Sequence, residues 1–208
     1  LLETYGFELS SATIRNVFKD LEERGFLTHP HTSSGRIPTD SGYRFYINDI
    51  MDRIELTVNE KRTIEEFFSY YLDRGDDVFE VASRVLSNFT HYAGIVNRKD
   101  KNSIYYYGLS YLLEQPEFKN TDTIHFFFKA LEEDRLLELL NRSMENAIDV
   151  VIGDECSSCV GMDNCSLIIY ECGKTKRKLA KLALLGPKRM AYKRVIPMIN
   201  YVSELIER

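Results

Sequence analysis

A chain of 208 residues that is 44% hydrophobic and 28% charged has the composition of a globular protein with a substantial core. Its formal net charge of −5 excludes a uniformly basic nucleic-acid coat, and no apolar run has the length of a membrane span or the pattern of a signal peptide. Leu1, Leu2 and Tyr5 resemble the apolar side of a helix, so we expect the chain to begin inside a domain whose first element is missing.

The first complete helix is predicted from Ser10 and Ser11, two favourable N-cap residues, to about Arg24, with Gly25 as the closing residue. Four apolar residues at helical spacing are predicted to form its buried stripe: Ile14, Val17, Phe18 and Leu21. The other face carries Ala12, Arg15, Asn16 and Lys19. The sequence therefore predicts an amphipathic helix with a polar outer face.

A short loop and a second helix follow. Residues 26–28 are typical of a strand, residues 29–36 form a turn-rich loop, and Ile37 resumes extended structure. Thr39 or Asp40 then caps the next helix. A capped helix, a two-stranded loop and another capped helix are the pattern of a winged helix-turn-helix, which binds DNA through its recognition helix.

The remaining sequence predicts a mixed helix-and-sheet body. Amphipathic patterns predict helices over residues 60–73, 76–89, 122–141 and 190–207. Apolar runs predict strands over residues 92–96, 104–107, 148–152, 166–170 and 179–185, with Gly186 and Pro187 ending the last of them.

The polar helix face and the loop carry side chains suited to DNA. Arg15 can donate two hydrogen bonds to guanine, Asn16 can pair with adenine, and Lys19 suits a phosphate. Arg36 could enter a narrow minor groove. We predict these DNA contacts: Ser11, Thr13, Arg15, Asn16, Lys19, His31, Ser33, Ser34 and Arg36. The pattern alone also fits a solvated helix beside an ordinary loop, because residues 1–50 hold five basic residues against seven acids.

The stretch "LSSATIRNVFKDLEERGFLTHPHTSSGRIPTDSGYRFYI" closely resembles the winged-helix domain of the HrcA family, bacterial heat-inducible transcription repressors. The stretches "YYYGLSYLLEQPEF" and "LLGPKRMAYKRVI", residues 105–118 and 184–196, are similar to the same family. So are "VASRVLSNFTHYAGIV" and "VVIGDE". The resemblance therefore extends over most of the chain.

This resemblance implies an α+β protein with a winged-helix DNA-binding domain at residues 1–48 and a GAF-like α/β regulatory and dimerisation domain at residues 49–208. It implies repression of chaperone operons through an inverted-repeat operator in double-stranded DNA, called CIRCE, and modulation by the chaperonin GroE. It also implies a homodimer, because symmetric half-sites mirror a two-fold protein.

The sequence departs from the family in two places. The first winged-helix segment is absent, and few residues separate Val96 from Ile104, where the family carries the rest of its GAF-like fold and an inserted dimerisation segment. We therefore expect a shortened member that dimerises elsewhere. Our candidate is the predicted helix around Phe126, Phe127 and Phe128, because three successive phenylalanines cannot all face one core.

Four cysteines raise the question of a metal. Cys156, Cys159, Cys165 and Cys172 contain only one C-x2-C pair, and Cys165 and Cys172 would point to opposite faces of a regular strand. We therefore expect neither metal nor disulfide. Reduced thiols suit a cytoplasmic protein, which is the location we predict.

Enzyme chemistry finds little support in the sequence. It contains no Ser/His/Asp order, Gly-rich phosphate loop or HExxH motif, so we predict no catalysis and no cofactor. A ligand-sensing winged-helix regulator remains the alternative, and it would need a closed apolar pocket in the GAF-like body. Tyr105, Tyr106 and Tyr107 could line one. The basic run 174–181 is more simply a solvated turn than a second phosphate contact.

Overall fold

The computed structural model describes residues 10–30, 35–52, 54–99, 103–156, 162–173 and 179–208, and capping side chains begin the first two helices among them. Helix α1 spans Ser11–Glu23, and the Ser10 hydroxyl accepts a hydrogen bond from an amide of its first turn. Thr39 does the same for helix α2, Asp40–Phe45. Both side chains satisfy amides that the start of a helix otherwise leaves unpaired.

A two-stranded ribbon connects these helices. Strand β1, Leu27–Thr28, pairs antiparallel with β2, Ile37–Pro38. Helix α2 continues into a π-helical turn, Tyr46–Ile50. The rings of Phe26 and Phe45 stack with their centroids 4.6 Å apart, which attaches the ribbon to α2.

The chain divides into two compact units, which we call the N-terminal unit, Leu1–Met51, and the body, Asp52–Arg208. The strands of the body are β3, Ala93–Arg98; β4, Ser103–Tyr107; β5, Ile148–Ile152; β6, Cys165–Cys172; and β7, Ala180–Pro187. They form an antiparallel sheet in the order β4-β3-β7-β6-β5. Strand β7 is central and buried throughout, as its apolar run requires.

Helices cover both faces of this sheet. They are α3, Val58–Asp73; α4, Val78–Thr90; α5, Leu109–Leu113; α6, Thr121–Glu132; α7, Arg135–Asn141; and α8, Tyr192–Glu207. Helices α4 and α8 pack on one face. A Cβ at Gly94 of β3 would lie 2.2 Å from the Ser83 carbonyl oxygen, so α4 approaches the sheet this closely only because residue 94 is glycine.

The opposite face of the sheet carries an apolar core. Side chains of α5, α6 and α7 pack there against alternate residues of the strands, among them Leu112, Phe127, Leu140, Ile95 and Leu167. The mixed architecture confirms the α+β class and is consistent with a GAF-like body. No helix among the described residues combines the length and the apolar character needed to cross a membrane.

Several predicted boundaries were wrong. The helix expected over residues 122–141 is two helices, because Asp134 adopts a left-handed conformation (φ 56°) that ends the regular helix between α6 and α7. Strand β7 continues through Gly186 to Pro187, since a proline at the last strand position removes no central ladder bond. The short helix α5 and the 3-10 turn Pro116–Phe118 were not predicted.

The predicted buried stripe of α1 is also incomplete. Val17 is 45% exposed, and Ile14, Phe18 and Leu21 are only half-buried. Among the described residues of this unit, two short strands and a short helix offer too little apolar surface to cover the whole stripe.

Candidate nucleic-acid interface

The outer face of α1 is polar and exposed. Arg15, Asn16 and Lys19 fall within about 100° of the helix circumference, since successive residues turn by about 100°, and all three side chains are exposed. Ser11 and Thr13, in the first turn, are exposed as well. Two cationic groups and one amide therefore project from a single strip of the helix, together with two hydroxyl groups at its N-terminal end.

Within the described part of the chain, only weak local contacts involve this strip. The Thr13 hydroxyl lies 2.8 Å from the Ser10 hydroxyl, which secures the N-cap. The Lys19 ammonium lies 3.5 Å from the Glu23 carboxylate, and both side chains are largely exposed. Because exposed ion pairs contribute little free energy, Lys19 can exchange this partner for a phosphate.

Arg36 lies in a different setting. Its Nε donates a hydrogen bond of 3.1 Å to Oε2 of Glu22, on the last turn of α1, and its guanidinium lies 5.7 Å from the centre of the Phe18 ring. The other carboxylate oxygen of Glu22 lies 3.3 Å from Nε2 of His29. One carboxylate of α1 thus contacts a residue after β1 and a residue before β2.

The structure brings only part of the predicted DNA surface together. Arg15, Asn16 and Lys19 share one face, whereas Arg36 packs against α1 through Glu22 and Phe18. His31, Ser33 and Ser34 lie outside the described residues. Sequence reasoning overlooked Glu22, because a glutamate in the last turn of a helix has no local signal for a contact made fourteen residues later.

The described cysteines cannot converge on one metal. Cys156 and Cys165 belong to the core on the α5–α7 side of the sheet. The Cys172 thiol contacts Ser203 and Glu207 of α8, on the opposite side, as the odd spacing within one strand predicted. Burial raises the pKa of the Cys165 thiol and raises that of Cys172 to about 11, so both favour the neutral thiol.

A shallow hollow on α6 bears on the ligand-sensing alternative. It is lined by Phe126, Lys129, Ala130, Glu133 and Arg135. Phe126, Lys129 and Glu133 are exposed, and three of the five lining residues are charged. This hollow is open to solvent and lacks the enclosed apolar walls that a small-molecule sensor requires.

Two of the family-like stretches meet in the body. Arg189, between β7 and α8, donates hydrogen bonds to both carboxylate oxygens of Glu117 at 2.8 and 3.1 Å, and to the Gln115 side chain at 3.0 Å. Such two-point contact fixes geometry more strictly than a single ion pair. Residues 105–118 and 184–196, which both resemble the family and lie far apart in sequence, are therefore held together by the side chain of Arg189.

The family model described as "HrcA protein C terminal domain" matches residues 96–196. The "Heat-inducible transcription repressor HrcA" of Syntrophobacter fumaroxidans is 25% identical over 307 residues, with 98% of this chain and 88% of the relative covered. The protein of the same description from Fusobacterium nucleatum is 45% identical over 95 residues, which span 46% of this chain and 27% of the relative.

A solved structure described only as that of a hypothetical protein has the same fold. It covers 99% of this chain and 88% of its own chain with a TM-score of 0.75, at 20% sequence identity. An alignment of 307 positions for a chain of 208 residues also means that the Syntrophobacter relative carries segments without a counterpart here, as expected of a shortened member.

These relatives are named as transcription repressors, which are not enzymes. The matches extend through the C-terminal domain model and, in the full-length relatives, over nearly the whole chain. The chain is therefore similar over nearly its whole length to proteins named as HrcA heat-inducible transcription repressors, and its residues 96–196 match the HrcA C-terminal domain model.

Proposed function

We propose that this chain is a sequence-specific DNA-binding repressor of heat-shock chaperone operons, and that its N-terminal unit is a winged helix-turn-helix. The observation that carries the proposal is the exposed strip of Arg15, Asn16 and Lys19 on one face of α1. Such a strip, presented by a capped helix of thirteen residues, has the shape and chemistry of an element that enters a major groove.

In this proposal, the chemistry of each side chain determines whether it contacts a base or a phosphate. Arg15 donates to the two acceptors of a guanine edge, and Asn16 pairs with adenine. Lys19 and the hydroxyl groups of Ser11 and Thr13 contact phosphates and fix the helix on the duplex. His31, Ser33 and Ser34 keep their predicted role as loop contacts to the backbone.

The proposed operator is an inverted repeat of the CIRCE type, upstream of chaperone genes. Footprinting of genomic DNA with the full chain tests this directly. We expect protection of a site with two symmetric half-sites spaced by about one helical turn of DNA or a multiple of it. Protection of an asymmetric site, or of no site, would contradict the operator assignment.

A symmetric operator requires a two-fold dimer, and α6 offers the surface we propose for it. Phe127 is fully buried, whereas Phe126 and Phe128 on either side of it are 40% and 42% exposed. Phe126 also lines the hollow beside Lys129, Glu133 and Arg135. A surface with both charge signs around exposed aromatic rings can be self-complementary, with the second copy as its occupant.

Analytical ultracentrifugation tests the proposed dimer. We expect Phe126→Glu to shift the protein towards the monomer, because a charge would be buried at the interface. Tyr70→Glu, at an exposed aromatic residue of α3, is the matched control and should leave association unchanged. Identical sedimentation of the wild type and both variants would remove α6 from the interface.

The proposal includes modulation by the chaperonin GroE and a location in the cytoplasm, where the chromosome is accessible. Both rest on the family resemblance. Measuring operator affinity with and without purified GroE tests the first: a change in the active fraction of repressor is expected, and an unchanged binding isotherm would count against it.

A further inference from the structure

Glu22 occupies a position that ties three elements of the N-terminal unit together. It lies on the last turn of α1, and its two carboxylate oxygens face different strands of the ribbon. One accepts the hydrogen bond from Arg36 at 3.1 Å, just before β2, and the other lies 3.3 Å from His29, just after β1. All three side chains are about two-thirds shielded from solvent.

The ribbon needs such a contact because its own pairing is slight. Strands β1 and β2 have two residues each, and one of the four is Pro38, which cannot donate a backbone hydrogen bond. An isolated two-stranded ribbon is marginally stable at best in water. Contacts from α1 therefore decide how firmly the ribbon is held against the helix.

We propose that Glu22 is a positioning residue for DNA binding, which fixes the ribbon relative to the exposed strip of α1. This inference rests on the proposed function. Glu22 acts through its contacts with Arg36 and His29. In this role Arg36 contacts Glu22 and Phe18 of α1 and does not itself bind DNA. Helix and ribbon then meet the duplex in one fixed arrangement, so less conformational entropy is lost on binding.

The direction of the change in DNA affinity distinguishes a positioning role of Glu22 from a simple effect of its charge. DNA is a polyanion, so removing an acidic residue beside a DNA-binding surface should by itself strengthen binding. The neighbouring Glu23 is the matched control: it has the same charge, lies on the same helical turn, and contacts only the exposed Lys19 in the described structure. If Glu22 positions the ribbon, its removal should weaken binding in spite of the favourable change in charge.

The experiment measures affinity of the full chain for the footprinted duplex and for a random-sequence duplex, over a range of salt concentrations. Glu22→Ala should weaken specific binding by about three- to tenfold, the scale of losing partly shielded ion pairs, and Glu23→Ala should bind as well as the wild type or better. Arg36→Ala should weaken specific binding about as much as Glu22→Ala. The double variant Glu22→Ala, Arg36→Ala should bind no more weakly than either single variant, because both changes break the same contact.

The salt dependence separates positioning from direct contact. If Arg36 only positions the ribbon, the logarithm of affinity in Arg36→Ala should fall with the logarithm of salt concentration as steeply as in the wild type. A slope lower by about one unit would show a direct phosphate contact. Tighter binding by Glu22→Ala would overturn the proposal outright, because it would mean that Glu22 merely competes with DNA for Arg36.

A readout without DNA keeps this inference separate from the proposed function. The Thr39 amide donates to the Phe26 carbonyl at 3.0 Å, next to the ribbon. Glu22→Ala should accelerate hydrogen exchange of the Thr39 and Ile37 amides and leave those of β3 and β7 unchanged. Failure of the wild type to bind any duplex would refute the proposed function, whereas unchanged exchange in Glu22→Ala would refute the role of Glu22 itself. Rescue of both readouts by Glu22→Gln, which can still accept from Arg36, would identify the hydrogen bond as the operative contact.

Discussion

The N-terminal unit and the body are built by different means. Among residues 10–30 and 35–51 no side chain is fully buried, and Val17 and Ile50 are 45% and 56% exposed. In the body, both faces of a sheet are covered, and residues such as Ile95, Phe127 and Leu184 are completely buried.

The residues that stabilise the fold and the residues proposed to recognise DNA therefore lie in different units. Burial of apolar surface is the main source of folding free energy, and the body has a core that supplies it. The described part of the N-terminal unit relies on helix caps, one stacked ring pair and the contacts of Glu22, each of which contributes on the order of 1 kcal/mol. Among the described residues, the surface proposed to bind DNA therefore lies where side chains are less deeply buried than in the body.

The largest expected effect tests the core of the body. Phe127 is fully buried and packs edge-to-face against Phe118, with ring centroids 5.6 Å apart. Phe127→Ala should lower the free energy of unfolding by about 3–5 kcal/mol, because it leaves a cavity. Phe128→Ala, one residue later and exposed, should cost far less. Equal denaturation midpoints for the two variants would contradict the described orientation of α6.

The next effect concerns recognition rather than folding. Replacing Arg15 and Asn16 by alanine should each reduce discrimination against a wrong base by about 1–3 kcal/mol, if each makes a two-point base contact. Unfolding curves should stay unchanged, because both side chains are exposed. Competition between operator and random duplex is the measurement, with Arg24→Ala, beyond the exposed strip, as the control. Wild-type discrimination in the double variant would remove α1 from the groove.

A smaller effect tests the dependence of the N-terminal unit on capping. Ser10→Ala removes the hydroxyl that accepts from the Thr13 amide at 3.0 Å, and should destabilise α1 by about 1 kcal/mol. Ser10→Gly should destabilise α1 by only a few tenths of a kcal/mol. Hydrogen exchange of the α1 amides reports the loss, and Ser11→Ala serves as the control. Unchanged hydrogen exchange of the α1 amides in Ser10→Ala would show that packing, and not the cap, determines where the helix begins.

The smallest effect concerns a thiol of the body. Burial beneath α8 raises the pKa of Cys172 to about 11, and the reactive species is the thiolate. Alkylation of the native protein by iodoacetamide should therefore be slow at pH 8 and should accelerate as the pH approaches 11. Because the folded state favours the neutral thiol, this residue supports stability at neutral pH, and that support is lost as the pH rises through 11. Rapid labelling of Cys172 at pH 8 would contradict its burial.

Local chemistry made part of this structure predictable. Ser10 and Thr39 begin helices because hydroxyl caps act within one turn, and the strands followed from apolar runs. The break at Asp134 was not predictable, since the apolar pattern continues across it. The contacts of Glu22 with Arg36 and of Glu117 with Arg189 depend on where the fold places distant segments, which no local pattern encodes. The polar strip of α1 could be read from helical spacing, but its use for DNA could not.

The order of strands in the body sets an order of events during synthesis on the ribosome. Strand β3 pairs with β4 as a hairpin, but its other neighbour is β7, which places Ile95 opposite Ala183, with β5, β6 and helices α5 to α7 between them in the chain. Strand β6 likewise pairs with β7 on one side. The two halves of the sheet therefore cannot join until β7 has left the exit tunnel, and pairings of such long range form slowly. Until then the nascent chain exposes the apolar side of its β3–β4 hairpin that β7 will later border, and such exposed apolar surface makes partly folded chains prone to aggregation.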